Sequence, residues 1–303
     1  MRPGAPFTRL PLILLVALLP MPSLIEAAAA TGEAPQEPGE TSAPTGSDVS
    51  PPLPDLAHPY GFKQIGLDAR YLVTRPAHLD RNGILKVALT IGTTGILYLY
   101  RQDIRDWVQD HNDPERTEFL NQVRVMGNPA FAPTLALIAY GSSFVTKNPR
   151  EKETAVLLLE SMGFTGIATG VGQAVLATHR PEDGGEINYF ARRGHGVSGD
   201  GALAACVVPI LSRQYLTVDG GDGPGRRFWK MSGASLLYAG AFLTGYQRLD
   251  SDEHYAPEVF LGLVTGFTVG QMLSDSHEQS RMESSLRVHF TAGPGTFQAR
   301  FTF

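Results

Sequence analysis

From residue 84 to residue 273 the chain repeats one pattern: an apolar run, then a polar or glycine-rich break. The runs are "ILKVALTIGTTGILYLY" (84–100), "FAPTLALIAYGSSFV" (131–145), "ETAVLLLESMGFTGIATGVGQAVLATH" (153–179), "GALAACVVPILSRQY" (201–215), "FWKMSGASLLYAGAFLTGYQ" (228–247) and "PEVFLGLVTGFTVGQML" (257–273). Most are of helix length and few alternate apolar with polar residues, so the pattern predicts helices. The run at 153–179 is expected to break between Gly163 and Gly172. Amphipathic segments such as "TEFLNQVRVMG" fill the gaps. The C-terminus differs: "SSLRVHFTAGPGTFQARFTF" alternates, turns at "GPG" and alternates again, which predicts a β-hairpin over 284–303. The expectation is an all-α body over 58–280, a bundle of about six core helices, with that short hairpin packed on it.

The N-terminus reads differently again. Arg2 and Arg9 precede "LPLILLVALLPMPSLI" and the small-residue tail "EAAAATG", the order of a secretory signal peptide over 1–30. Residues 31–57 are rich in Pro, Gly, Ser, Thr and Glu, a tether with too few large apolar side chains to bury a core. Export to the periplasm or cell envelope is the destination this implies. A formal net charge of −5 offers no basic field for nucleic acid. Cys206 is the single cysteine, so there is neither an intrachain disulfide nor a thiolate zinc site. Several runs fall short of a full membrane span, and the mean hydropathy of −0.07 is low for six spans. Both favour a soluble or peripherally attached bundle over one that crosses a bilayer.

Chemistry concentrates in three stretches beside these runs. "GQAVLATHRPED" carries Gln173, Arg180 and Pro181; "RRGHGVSGDGA" carries His195, Ser198, Gly199 and Asp200; "YQRLDSDEHYAPEVF" carries Arg248, His254 and Glu258. The arginines offer planar forks that match phosphate oxygens. "VSGDG" precedes an apolar run, so its N–H groups open a helix and hold an anion, with Gly199 allowing close approach. Ser198 adds a hydroxyl, as ligand or as helix cap. Asp200 reads either as the N-cap of a helix starting near Gly201 or as a proton-transfer group. His254 is a nucleophile or base at neutral pH. Glu258 lies four residues on, where an early helical position lets it reach back to the imidazole. The acidic run "DSDE" (250–253) reads as a solvated loop, and Arg192 and Arg193 as a solvated pair.

In these stretches the chain resembles the superfamily of type 2 phosphatidic acid phosphatases, bacterial class A acid phosphatases and vanadium haloperoxidases. That pattern is K-x6-R-P, then P-S-G-H, then S-R-x5-H-x3-D. Here the parts read Q-x6-R-P from Gln173 to Pro181, V-S-G-D from Val197 to Asp200, and Q-R-x5-H-x3-E from Gln247 to Glu258. The resemblance covers roughly residues 60–275 and implies a helical bundle with a phosphate site at one end. It implies that His254 attacks phosphorus, that Arg180, Arg248, Ser198 and Gly199 cradle the phosphoryl oxygens, and that Glu258 orients His254. It implies neither metal nor cofactor, and a phosphomonoester or lipid (di)phosphate as substrate. Two departures weigh on it. Gln173 replaces the phosphate-binding Lys, with Arg192 and Arg193 as possible substitutes. Asp200 replaces the His that protonates the leaving group, a role His195 is near enough in sequence to take. The second departure also makes haloperoxidase activity unexpected. Three readings stay open: an envelope phosphatase, a catalytically degenerate phosphate- or lipid-binding member, and a structural outer-membrane-associated protein suggested by the C-terminal hairpin.

Overall fold

Each of the six apolar runs forms a helix in the computed structural model, which describes residues 62–181, 194–285, 287–293 and 296–302. They are α2 (Arg81–Leu99), α5 (Phe131–Thr146), α6 (Pro149–Val175), α7 (Gly199–Tyr215), α8 (Pro224–Asp250) and α9 (Ala256–Ser285). Three more polar helices complete the body: α1 (Phe62–Thr74), α3 (Arg101–Asp110) and α4 (Pro114–Val123). The signal-peptide and tether segments and Arg192 and Arg193 lie outside the described residues.

Local chemistry sets the helix ends. Asp80, Asp113 and Asn148 cap α2, α4 and α6 by accepting from backbone N–H groups in the first turn, and Pro114 and Pro149 follow two of these caps. Helix α5 stops at Lys147, whose φ of 54° is left-handed. The expected break in 153–179 is absent: α6 runs unbroken to Val175. Gly163, Gly166 and Gly170 have nothing within 4 Å of their Cβ positions. They weaken the helix without requiring a bend.

The core is the contact of α9 with α7, and sequence explains its closeness. Gly262, Gly266 and Gly270 recur every fourth residue, so they share one face of α9. A Cβ on any of them would overlap a backbone carbonyl of Ser198, Ala202 or Cys206 in turn. Opposite them Ala202, Ala205 and Cys206 are fully buried. Gly266→Ala is therefore expected to lower stability by about 1–3 kcal/mol through overpacking against a carbonyl that has no room to move. Gly163→Ala, into open space, should leave the melting temperature unchanged or raise it. Thermal melting of the two variants in detergent checks the contrast.

Of the soluble or peripherally attached body expected from the sequence, the exposed surface favours attachment to a membrane. Helices α2, α6 and α9 are long and apolar enough to cross a membrane, and in α2 only 6% of the apolar window is buried inside the body. Ile84, Leu85, Leu89 and Ile91 of α2 face outward, as do Leu137, Phe144 and Val145 of α5. Apolar surface of this extent marks a membrane or a partner. The mean hydropathy hid it because the polar tether and the charged helices α3 and α4 are averaged with the runs.

Beyond the helical body, the backbone pairs Arg287–Gly293 (β1) with Thr296–Thr302 (β2), antiparallel. The side chains of this segment lie outside the described residues, so the expected packing of a hairpin on the body is not described.

Candidate active site

The three motif stretches meet at one end of the bundle. Arg180 follows the C-terminus of α6, Ser198 and Asp200 open α7, Arg248 lies in the last turn of α8, and His254 and Glu258 flank the start of α9. The turn between α8 and α9 explains the spacing of the third motif. Asp252 takes a left-handed φ of 56°, and the N–H groups of Glu253 and His254 both donate to Arg248 O, at 3.1 and 3.2 Å. The chain thus reverses within five residues and delivers His254 against the first turn of α9.

Glu258 is buried, and its carboxylate accepts from three donors. Oε2 accepts from His254 Nδ1 at 2.9 Å and from the Tyr255 N–H at 3.1 Å, and Oε1 accepts from Thr178 Oγ1 at 2.5 Å. An ionised carboxylate only accepts, so the proton of a neutral imidazole sits on Nδ1 and the lone pair on Nε2. The i, i+4 spacing thus brings Glu258 within hydrogen-bond reach of His254. His254 is itself 8% exposed, and a buried imidazole makes a better nucleophile than a solvated one only if held in this tautomer.

Next to His254 in the chain, Glu253 belongs to a network of three guanidinium groups and two carboxylates. Arg248 is buried; its NH1 contacts Asp200 Oδ2 at 3.2 Å and its NH2 pairs closely with Glu253. Arg180 NH2 reaches the same Glu253 carboxylate at 3.7 Å, and Arg124 Nε donates to Asp200 at 3.0 Å. Burial lowers the pKa of Arg248 to about 10; Asp200 opposes that change, and Arg124 and Arg180 add to it. The group stays cationic at neutral pH. The Arg248 Nε, also buried, has no hydrogen-bond partner among the described residues.

Some expectations change. Ser198, not Asp200, caps α7, which begins at Gly199 rather than near Gly201: Ser198 Oγ accepts from Gly201 N–H at 3.4 Å. Asp200 sits in the first turn and pairs with arginines. Gln173, in the place of the Lys, donates from Nε2 to Val197 O at 2.9 Å, tying the end of α6 to the second motif. The Gly199 Cβ position is open except for Gln173 Nε2 at 3.9 Å. His195 N–H donates to Thr178 O at 3.0 Å, and the His195 ring lies 6.2 Å from the His254 ring, edge to face. Glycines on both sides of His195 permit this: a side chain at Gly194 or Gly196 would strike the α6 end at Gln173 or Leu176.

The "DSDE" run is not a solvated loop. Asp250 is buried and takes Arg116 and Thr117, each at 2.6 Å; Asp252 takes Arg105 through two bonds; Glu253 takes Arg248. Glu253, Arg124 and Thr178 are the site residues missed from sequence. Thr178 stood inside a quoted motif stretch. Arg124 lies 76 residues from its partner Asp200, with no local signal.

No protein-family model and no curated protein matches the chain. Two solved structures match the chain. One is the first transmembrane PAP2 type phosphatidylglycerolphosphate phosphatase from Bacillus subtilis, 16% identical, covering 72% of this chain and 98% of that one, with a TM-score of 0.45. The other is LpxE from Aquifex aeolicus, 18% identical, covering 58% of this chain and 94% of that one, with a TM-score of 0.42. With three motifs in order, brought to one end of a helical body, the chain resembles the type 2 phosphatidic acid phosphatase superfamily.

Proposed function

We propose that the protein is a membrane-embedded phosphatase that hydrolyses a lipid phosphate through a phosphohistidine. The observation that carries this reading is the buried His254–Glu258 pair, with Arg180 and Arg248 both held by Glu253, the residue before His254. His254 Nε2 attacks phosphorus, forming a P–N bond as the ester P–O bond breaks. Arg180, Arg248, Ser198 and the Gly199 N–H hold the phosphoryl oxygens as charge spreads over them. The leaving oxygen takes a proton from His195, whose ring neighbours His254; Asp200 already serves the arginines. Water then attacks the phosphohistidine, breaks the P–N bond and releases phosphate, with His195 taking up the proton.

The lipid half of the proposal rests on an apolar cavity of about 430 Å³ that reaches Glu258 and Thr178 from the α2 side. Ile91, Gly95 and Tyr98 of α2 and Leu261 of α9 line it, so an acyl chain would run from the surrounding bilayer to the site. Export and a periplasmic site remain part of the same proposal. The test uses phosphatidate in mixed micelles beside a soluble aryl phosphate. Gly95→Trp, at a position with nothing within 4 Å of its Cβ, fills the cavity without displacing packed atoms. Lipid turnover should fall by about tenfold or more, equivalent to ~1.4 kcal/mol, while aryl phosphate turnover stays within about threefold. Equal loss on both substrates would remove the lipid assignment.

A second reading has one observation in its favour. Asp200 and Glu253 sit on the very guanidinium groups a phosphate needs. A degenerate, binding-only member would show no turnover on either substrate while vanadate still raised its melting temperature.

A further inference from the structure

Far from the phosphate site, a second group of titratable side chains is closed inside the bundle. Asp68 of α1, Glu160 of α6 and His277 of α9 bring one ligand atom each within 4.8 Å of one another. His277 lies 19 residues beyond Glu258 on α9, about 28 Å along the axis at 1.5 Å per residue, so the two sites are separate. The Asp68 side chain is 0% exposed, His277 5% and Glu160 8%.

Three features set this cluster apart from an ordinary buried ion pair. First, neither Glu160 oxygen makes a hydrogen bond, although both are buried. A carboxylate removed from water and left without donors is costly unless something else meets its charge. Second, His277 Nε2 faces two carboxylate oxygens at once, Asp68 Oδ2 at 3.3 Å and Glu160 Oε2 at 3.4 Å. One N–H cannot serve both well. These separations match the ~3.4 Å edge of a tetrahedron whose centre is about 2.1 Å from nitrogen and oxygen ligands. Third, two of the three groups have an outer partner. Glu153 Oε1 lies 3.5 Å from His277 Nδ1 and is itself met by Arg281; Ser276 Oγ and Gln64 Nε2 donate to Asp68 Oδ1, which leaves Oδ2 turned inward. A carboxylate behind a histidine, with the other ring nitrogen facing inward, is how proteins orient a metal-ligating imidazole.

We infer that Asp68, Glu160 and His277 form a binding site for a divalent transition-metal ion that fastens α1 to α6 and α9. The donor set of one imidazole and two carboxylates suits zinc or its neighbours, and a water completes four-coordination. The ion would satisfy the Glu160 oxygens and stabilise the fold increasingly as its free concentration rises above the dissociation constant.

The test uses the full chain in detergent, stripped with a chelator, dialysed against zinc or cobalt(II), and assayed by elemental analysis, visible absorption and thermal melting. Expected are one zinc per chain, the intense cobalt absorption of tetrahedral coordination, and a melting temperature raised by several degrees. Glu160→Gln should lose all three, because it removes a ligand charge whose oxygens make no hydrogen bonds. His254→Ala, at the other site, should keep them, so the result stands whether or not the phosphatase reading does. Zinc at background level in the wild type, equal retention in Glu160→Gln, or loss in His254→Ala would each overturn the site. If Glu160→Gln fails to fold, the cobalt spectrum of the wild type decides: weak octahedral bands, or none, refute it.

Discussion

His254→Ala is expected to abolish phosphate release, lowering kcat/KM by about 10³- to 10⁵-fold, or ~4–7 kcal/mol of transition-state stabilisation. The size follows from what the ring does. If Nε2 forms the bond to phosphorus, no neighbour replaces it, since the His195 ring stands 6.2 Å away and offers a proton rather than an in-line lone pair. Water is left to attack a phosphate held by arginines alone. The fold should tolerate the change. Alanine releases Glu258 Oε2 from one donor but leaves it the Tyr255 N–H, and Oε1 keeps Thr178. Vanadate should therefore still bind to Arg180 and Arg248 and raise the melting temperature of the variant. Turnover in His254→Ala within about tenfold of wild type, ~1.4 kcal/mol, would exclude the phosphohistidine route. Rapid quenching on a labelled substrate adds a direct readout: an acid-labile, base-stable phosphoprotein in the wild type and none in the variant.

What the sequence made legible divides along a physical line. Local periodicity and local spacing survive translation into structure. The six apolar runs became six helices, and the i, i+4 spacing of His254 and Glu258 became a bond of 2.9 Å. Contacts between distant segments carried no such mark. Asp250 reads as one more charge in a polar loop until α3 and α4 bring Gln109, Arg116 and Thr117 to it from 133 to 141 residues away. Asp68 and His277 are 209 residues apart, and nothing near either hints at the other. Glu160 did leave a trace, as a lone acid inside an apolar run. A charge that interrupts an apolar helix needs a partner, and its position on α6 points to where that partner must be. The expected break in α6 failed for the opposite reason. Glycine propensity alone favours a break, while packing along a long helix outweighs a few such residues.

Glu258→Gln should be the second most damaging change, lowering kcat by about 10²- to 10⁴-fold, ~3–5 kcal/mol, with little effect on phosphate affinity. The carboxylate is asymmetric in its surroundings but not in its chemistry: every contact it makes is an acceptance. His254 Nδ1 and the Tyr255 N–H converge on Oε2 and Thr178 Oγ1 on Oε1. An amide has one oxygen. If Gln turns it toward His254 and Tyr255, its NH2 faces Thr178, whose hydroxyl can rotate to accept; the geometry holds but the negative charge that supports the imidazolium is gone. If it turns the other way, the NH2 meets Nδ1 and a backbone N–H. The ring then inverts its tautomer, placing the proton on the nitrogen that must attack. Either arrangement slows the chemistry without touching Arg180 or Arg248. The effect should therefore appear in kcat and spare KM, and vanadate should bind as in the wild type. Glu258→Asp, which keeps the charge on a side chain one methylene shorter, should recover part of the loss. Equal damage from Gln and Asp, together with lost vanadate binding, would mean that Glu258 only holds α9 to the end of α6, and that His254 owes it nothing.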